Sequence, residues 1–488
     1  MVSSSQTVAS SANYHGTDKL LTGIVLAVIT FWLFAQTTLN IAPVMGADLK
    51  ISPNLNNLAV SITALFSGIF IVVAGGLADR MGRVKLTYIG LLLSIIGSLL
   101  IVISPSGTAV FLLAGRILQG LSAACIMPAT LALTKAYYDG KERQRAISFW
   151  SIGSWGGSGL SALFGGLIAS TIGWRWIFVL SILVAIISYL LIRGTPESKS
   201  TATDKKAFDW AGLIAFIIAM LAINIVIGQG SGLGWLSPAI LICGVIFIIS
   251  AIVFFRIENK SENSFVDLSL FKNQTFSGAT LSNFLLNGAA GTLLVSLALV
   301  QTEAGLSSLQ SGLITIGYLV AILGTIRVGE KLLQKMGPRK PMLLGCCITG
   351  VGILLTSFTF LMAKEYIIAS FVGFTLFGVG LGFYATPSTD AALSNVPGNK
   401  AGSASGIYKM ASSLGAAFGV AISAAIFYGL SKMEGTPPMA DLFMGRTDNI
   451  DVRYAAGIGL LFNVFMVVVA IIAISITIPK GRPEKASK

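Results

Sequence analysis

Apolar runs long enough to cross a lipid bilayer follow one another through almost the whole chain, each closed by a short polar loop. A helix needs about 20 mostly apolar residues to span the hydrocarbon layer. Runs of that kind are read at 20–45, 57–79, 84–104, 108–132, 143–170, 174–193, 208–228, 236–256, 277–302, 307–332, 340–362, 366–389, 401–429 and 454–478, fourteen in all. Of the 488 residues, 54% are hydrophobic and only 11% are charged, where a soluble chain carries about 25% charged residues. One globular core cannot bury so much apolar surface, so lipid must solvate part of it. The expected fold class is an all-α polytopic membrane protein.

The basic residues assign the sides of the membrane. Of 33 Lys and Arg, 25 fall in the tails and alternate loops of one side, 6 on the other, and Arg116 and Lys409 lie inside runs. The positive-inside rule makes the rich side cytoplasmic, so both termini are expected there. The same pattern explains the net charge of +13 and argues against a nucleic-acid binder, which clusters its bases on one face. The N-terminal tail lacks the charged start and small-residue cleavage site of a signal peptide, so the first run is expected to remain as a helix.

Polar stretches divide the runs into six, two and six. The expected organisation is a tail over 1–19, a six-helix bundle over 20–193, a linker over 194–207, an extra helix pair over 208–256, a linker over 257–276, a second six-helix bundle over 277–478, and a tail over 479–488. Residues 430–453 make the longest external loop. The halves share a weak repeat. Gly75-Gly76-Leu77-Ala78-Asp79-Arg80-Met81-Gly82-Arg83-Val84-Lys85 joins the second and third runs, and Glu330-Lys331-Leu332-Leu333-Gln334-Lys335-Met336-Gly337-Pro338-Arg339-Lys340 stands at the matching junction of the second half. Met-Gly and the flanking bases recur, while Gln334 takes the place of Asp79. Such repeats are what paired transporter domains leave.

Charges within the runs are the first candidates for chemistry, because each is costly unless it meets a partner or a wet cavity. Arg116 either faces inward or snorkels to the external surface. Asp390, at the cytoplasmic end of the twelfth run, and Lys409, about nine residues into the thirteenth, could pair or could be two separate interfacial charges. Gly153, Gly156, Gly157, Gly159, Gly165 and Gly166 crowd the fifth run, as close or sliding helix contacts require. Trp32, Gln36, Thr37, Asn40, Met127, Trp150, Trp155, Asn283, Asn287, Tyr384 and Tyr408 could line a pocket for amphiphiles of varied shape, although for any single one helix packing is the commoner role.

The inventory also excludes. His15 is the one histidine, in the tail, so neither a histidine relay nor a nucleophile–histidine site can be built. Cys125, Cys243, Cys346 and Cys347 lie in apolar runs without metal-ligand spacing. No phosphate-binding loop is present. An enzyme is not expected, nor a cofactor or metal. The expected energy source is an ion gradient, unless the protein only facilitates diffusion; the resemblance described next implies protons as the coupling ion.

The stretch Gly75–Lys85 resembles the loop signature of the major facilitator superfamily, and Arg116-Ile117-Leu118-Gln119-Gly120 resembles its fourth-helix motif. Gly173-Trp174-Arg175-Trp176-Ile177-Phe178 and Phe208-Asp209-Trp210-Ala211-Gly212 are similar to its fourteen-helix drug:proton antiporter family. Phe31–Gln36, Ser151–Gly159 and Tyr384–Asp390 look closest to the NorB-type multidrug (quinolone) efflux pumps of staphylococci. The resemblance implies the major facilitator fold, two six-helix bundles with two extra helices. It implies export of amphiphilic compounds such as quinolones, dyes and biocides, and a protein that works as a monomer in the cell membrane. It makes Asp79, Arg80, Gly82 and Arg83 gating residues, Arg116 a proton-coupling residue, and Gly157, Gly165 and Gly166 antiporter-motif glycines, with Gly153 beside them. Asp390 and Lys409 join the proton-coupling and gating candidates.

Two positions depart from the pattern of many relatives. Ala35, beside Gln36, stands where they have an Asp, and Ser161-Ala162 stands where they have Gly-Pro. The first departure leaves no deep carboxylate in the first run, which suits zwitterionic or weakly charged amphiphiles better than strictly cationic dyes. A dedicated metabolite or lipid exporter and a non-transporting receptor or scaffold stay open as alternatives. The retained Asp79, Arg116 and glycines argue against the receptor.

Overall fold

A computed structural model describes residues 14–199, 209–260, 268–306, 313–431 and 449–481, and among them every regular element is a helix. Helix falls in each of the fourteen expected runs. Twelve of these helical stretches are long and apolar enough to cross a membrane. The stretch over 140–171 is diluted by glycine and serine, and Ile316–Met336 carries Arg327, Glu330, Lys331 and Lys335.

The chain forms two compact units. One comprises 1–222, 246–272 and 393–410, the other 223–245, 273–392 and 411–488. The extra helix pair, Trp210–Leu233 and Pro238–Lys260, is shared between them. Leu393–Met410, expected in the second bundle, groups with the first unit.

In the first unit, the first run is broken into α1 (Asp18–Ile29), a π-helical turn (Thr30–Ala35) and α2 (Thr38–Leu49). Thr17 caps α1 by accepting from the Leu20 N–H at 3.2 Å. The break lies between two threonines whose hydroxyls bond back to the preceding turn, Thr30 to the Ala27 carbonyl at 2.6 Å and Thr37 to that of Leu33. Such back-bonding competes with the regular ladder. Next come α3 (Pro53–Met81), α4 (Arg83–Val102) and α5 (Val110–Tyr137). Glycines let α5 touch both neighbours: a Cβ on Gly120 would stand 2.6 Å from the Thr63 carbonyl, and one on Gly97 2.8 Å from that of Gly115.

The fifth run repeats the device of the first, as α6 (Gly140–Ser151), a π-helical turn (Ile152–Gly156) and α7 (Gly157–Thr171). Its glycines face the first run. Gly153 lies against Val25, Gly157 against Trp32 and Leu33, and Gly165 against Thr37. Gly166, expected among them, has open space where its Cβ would be. It falls one residue, or about 100°, around the helix from Gly165. The helix α8 (Arg175–Ile192) completes the six.

The second unit is built from α11 (Gln274–Gly288), α12 (Gly291–Ala304), α13 (Ile316–Met336), α14 (Arg339–Thr356), α15 (Ala363–Ser394) as far as Ala392, α16 (Ala401–Leu430) from Ala411, and α17 (Ile450–Thr477), with α9 and α10 being the extra pair. Small residues bring backbones together here too: a Cβ on Gly345 would lie 2.6 Å from the Gly380 carbonyl. Gly82 and Gly337 each end a helix with positive φ, +117° and +75°, and the next helix starts at Arg83 in the first case and, after Pro338, at Arg339 in the second. The expected repeat is therefore a repeat of backbone geometry.

Candidate functional site

The hinge after α3 holds a buried carboxylate at the start of another helix. Asp79 lies in the last turn of α3 and is 5% exposed. Its Oδ1 accepts from the backbone N–H of Gly402 at 2.8 Å, and its Oδ2 from the N–H of Ser403 at 2.8 Å and the Ser403 hydroxyl at 3.2 Å. The first N–H groups of a helix have no partner within it, and the aligned peptide dipoles leave them partly positive. Asp79 thus caps α16 from another helix. The approach is close because Gly75 and Gly402 carry no Cβ: a Cβ on Gly402 would collide with the Gly75 carbonyl and stand 2.6 Å from Asp79 Oδ1.

Arg83, one turn further on, locks the carboxylate. Its Nη2 donates to Asp79 Oδ1 at 2.9 Å and to the Gly398 carbonyl at 2.5 Å, and its Nη1 donates to Ser198 Oγ at 3.0 Å. Two more bases hold the same turn. The Lys135 ammonium donates to the carbonyls of Leu393 and Val396, and Arg143 Nη2 donates to Ser394 Oγ at 2.8 Å. A strap over 196–198 covers the hinge from the other side. Glu197 accepts from the N–H groups of Val84 and Lys85, each at 2.9 Å, and so caps α4. Tyr137 donates to the Pro196 carbonyl. Gly82 is required here twice, by its positive φ and because a Cβ would run into the Glu197 carboxylate. Arg80, grouped with Asp79 and Arg83 by the sequence, is exposed.

The matching loop of the second unit carries a polar cluster along α13. Gln334, in the place of Asp79, donates to Glu330 at 3.1 Å, and Arg327 pairs with the same buried carboxylate.

Arg116 faces inward and is 2% exposed, so it does not snorkel. Its Nε donates to the Ala59 carbonyl at 2.8 Å, and its Nη1 to the Ala35 carbonyl at 2.8 Å and to Gln119 Oε1 at 2.8 Å. Gln119 passes the chain on to Ser98 at 3.2 Å. The Ala35 carbonyl ends the π-helical turn, where the regular ladder is interrupted and an acceptor is left for the guanidinium. Arg116 thus ties α3 and α5 to the break in the first run through neutral acceptors.

The remaining candidates are spread over both units. Asp390 is buried in the part of α15 that belongs to the second unit. Lys409 belongs to the first unit, and its ammonium stands 4.2 Å from the ring centre of Trp150. In the first unit Met127 and Tyr408 are buried, while Trp32, Gln36 and Trp155 are half-buried. The Asn40 side chain lies outside the described residues. In the second unit Asn283 donates to Ser412 at 2.6 Å, Asn287 donates to Asn283 Oδ1 at 2.9 Å, and Tyr384 meets Ser282 at 2.7 Å. A recess of about 520 Å³ in that unit is lined by Trp235, Ile422, Ala425, Ile426, Gly429, Leu430 and Ile458 and contains none of these residues.

Lys135, Arg143, Glu197 and Ser403 were not singled out by the sequence. Nothing in the chain around Glu197 marks it, because its role is set by a contact 113 residues away. Lys135 and Arg143 read as ordinary loop cations.

The family model described as Major Facilitator Superfamily matches residues 23–228 and 207–420. The chain is 50% identical over 471 residues to the quinolone resistance protein NorB of Staphylococcus aureus strain MRSA252, covering 96% of this chain and 98% of that one. It is 54% identical over 420 residues to the NorB of strain Newman, covering 86% and 90%. Among solved structures, the proton:xylose symporter XylE aligns with a TM-score of 0.62 at 16% identity over 95% of this chain and 94% of that one, a likeness of fold. The chain belongs to the Major Facilitator Superfamily.

Proposed function

We propose that this protein is a multidrug efflux transporter, a drug:proton antiporter that exports amphiphilic compounds such as quinolones, dyes and biocides. It crosses the plasma membrane in fourteen spans with both termini cytoplasmic, arranged as two six-helix bundles, 20–193 and 277–478, and an extra pair, 208–256. It needs no cofactor, uses protons as the coupling ion, is solvated by the bilayer, and works as a monomer. The naming of its relatives for quinolone resistance, at half identity over nearly the full chain, supports the substrate class.

The observation that carries the mechanism is the Asp79 carboxylate on the N–H groups of Gly402 and Ser403. A carboxylate at a helix start is stabilised by about 0.5–2 kcal/mol of charge–dipole attraction, and protonation removes that attraction. Neutralising Asp79 therefore loosens the hinge from α16, and re-ionising it restores the grip. Arg83, Lys135 and Arg143 keep the turn over 393–398 within reach between the two states. Arg116 holds the break in the first run, so that movement there is transmitted to α3 and α5.

Drug accumulation in an efflux-deficient host tests the reading. Expression lowers accumulation of a quinolone, and a protonophore abolishes the effect. Unchanged accumulation on expression contradicts export, and export indifferent to the protonophore contradicts proton coupling.

A further inference from the structure

Lys409 is a buried cation that has no anion among the described residues. The residue is 9% exposed, and among the described residues it forms no ion pair and no hydrogen bond. Its ammonium lies 4.2 Å from the ring centre of Trp150 and 5.6 Å from that of Tyr408. Both rings are buried, at 0% and 2% exposure. The Trp150 ring is fixed, because its Nε1 donates to Thr130 Oγ1 at 3.0 Å. Attraction to an aromatic face recovers only part of what a buried ammonium loses on leaving water. One helical turn before it, the Ser405 hydroxyl is buried and has no hydrogen-bond partner. Ser405 and Lys409 stand four residues apart, on one face of α16. That face therefore presents two donors and no counter-charge.

Among the described residues of the unit no carboxylate forms an ion pair with this ammonium. The first run has Ala35 and Gln36 where an acid could have stood. The carboxylate of Asp79 is already held by Gly402, Ser403 and Arg83. We infer that Lys409, framed by Trp150 and Tyr408, is the recognition point for the carboxylate of an exported aromatic acid, with Ser405 as a second donor. The inference rests on the export reading above and names the substrate feature that the transporter reads. The ammonium leaves the Trp150 face to pair with the ligand carboxylate, and the aromatic walls favour a flat ligand beside it.

The placement also joins binding to the hinge. Gly402, Ser405, Gly406 and Lys409 follow one another at helical spacing on one face. Gly402 and Gly406 pack on Gly75 and Ile71 of α3. A ligand that pulls on Lys409 acts on the same helix that Asp79 caps, about 10 Å further along its axis.

The test is equilibrium binding to the purified full-length protein in lipid nanodiscs, with a quinolone carboxylic acid and its methyl ester as probes. The wild type is expected to bind the acid about tenfold more tightly than the ester, as loss of one charge-assisted contact implies. Lys409→Gln removes that preference and leaves ester binding within about twofold, while Lys409→Arg retains it. Equal affinity of the wild type for acid and ester overturns the assignment, and this comparison needs no variant to fold. Equal weakening of both probes by Lys409→Gln overturns it too, since that is what a packing role gives. Accumulation assays with the same two probes keep the readings apart. A wild type that exports neither probe contradicts export itself, whereas export of both with no preference at Lys409 contradicts only the carboxylate site.

Discussion

Asp79 and Gly402, 323 residues apart in the chain, are joined by a hydrogen bond of 2.8 Å from the Gly402 N–H to the Asp79 carboxylate. The contact exists because both helices give up a side chain at the crossing: Gly75 and Gly402 let the two backbones meet. A charged residue can then reach the one part of a helix that has unmet donors.

Gly402→Ala tests that closeness. The new Cβ would collide with the Gly75 carbonyl and with Asp79. Overpacking of this kind costs about 1–3 kcal/mol. Thermal unfolding of the purified protein is expected to shift downward, and efflux to fall with it. An unshifted transition contradicts the packing described here.

Asp79→Asn and Arg83→Gln should not act independently. Their side chains share a bond of 2.9 Å, and both hold the turn that leads into α16. Residues in one network couple by about 0.5–3 kcal/mol. A double-mutant cycle on unfolding free energy is expected to show the double variant less destabilised than the sum of the singles.

Arg116→Lys keeps the charge but replaces a planar fork by a single nitrogen. It cannot serve the carbonyls of Ala35 and Ala59 and the Gln119 amide together as the guanidinium does. The expected loss is about 1.5–3 kcal/mol for one charge-assisted hydrogen bond. Efflux of quinolone, measured in whole cells, is expected to fall sharply even where the variant reaches the membrane in normal amount.

How much of this could be read from the chain follows from what kind of interaction each feature needs. Helices existed wherever apolar runs were long enough, because lipid leaves the backbone no other way to meet its hydrogen bonds. Asp79, Arg83 and Arg116 stood out because a charge near or within such a run requires a reason. The π-helical turns at Thr30–Ala35 and Ile152–Gly156 were not legible, since threonines and glycines occur throughout the runs. Gly165 and Gly166 look alike in sequence, and only the facing of the helix tells that the first touches Thr37 and the second touches nothing. Lys409 invited a carboxylate partner by charge alone. The fold gave it Trp150, which no charge count could indicate.

Outside the spans, Asp48 gives a pH dependence with a definite sign. A hydrogen bond from Arg175 holds its carboxyl below the usual range, with a second from the Trp174 indole at 3.1 Å. A lowered value in the folded protein means that the ionised form is favoured by folding, so the contribution is complete above about pH 4–5, where an unfolded Asp is ionised. It is lost as the pH falls through the lowered value. The pair is half-exposed and screened, so the effect stays below about 1 kcal/mol. Asp48→Asn is expected to flatten that part of the acid side of the stability profile, measured by unfolding between neutral and acid pH, and to change little at neutral pH beyond that amount.

The central claim is that charge on Asp79 couples protons to movement of the hinge. Proteoliposomes containing the purified protein, with drug transport driven by an imposed proton gradient, test it most directly when wild type, Asp79→Asn and Asp79→Glu are compared. The account predicts that Asp79→Asn lowers gradient-driven transport at least about tenfold, equivalent to about 1.4 kcal/mol of lost coupling, while drug binding persists and Asp79→Glu restores part of the gradient response. Gradient-driven transport by Asp79→Asn at the wild-type rate would contradict it.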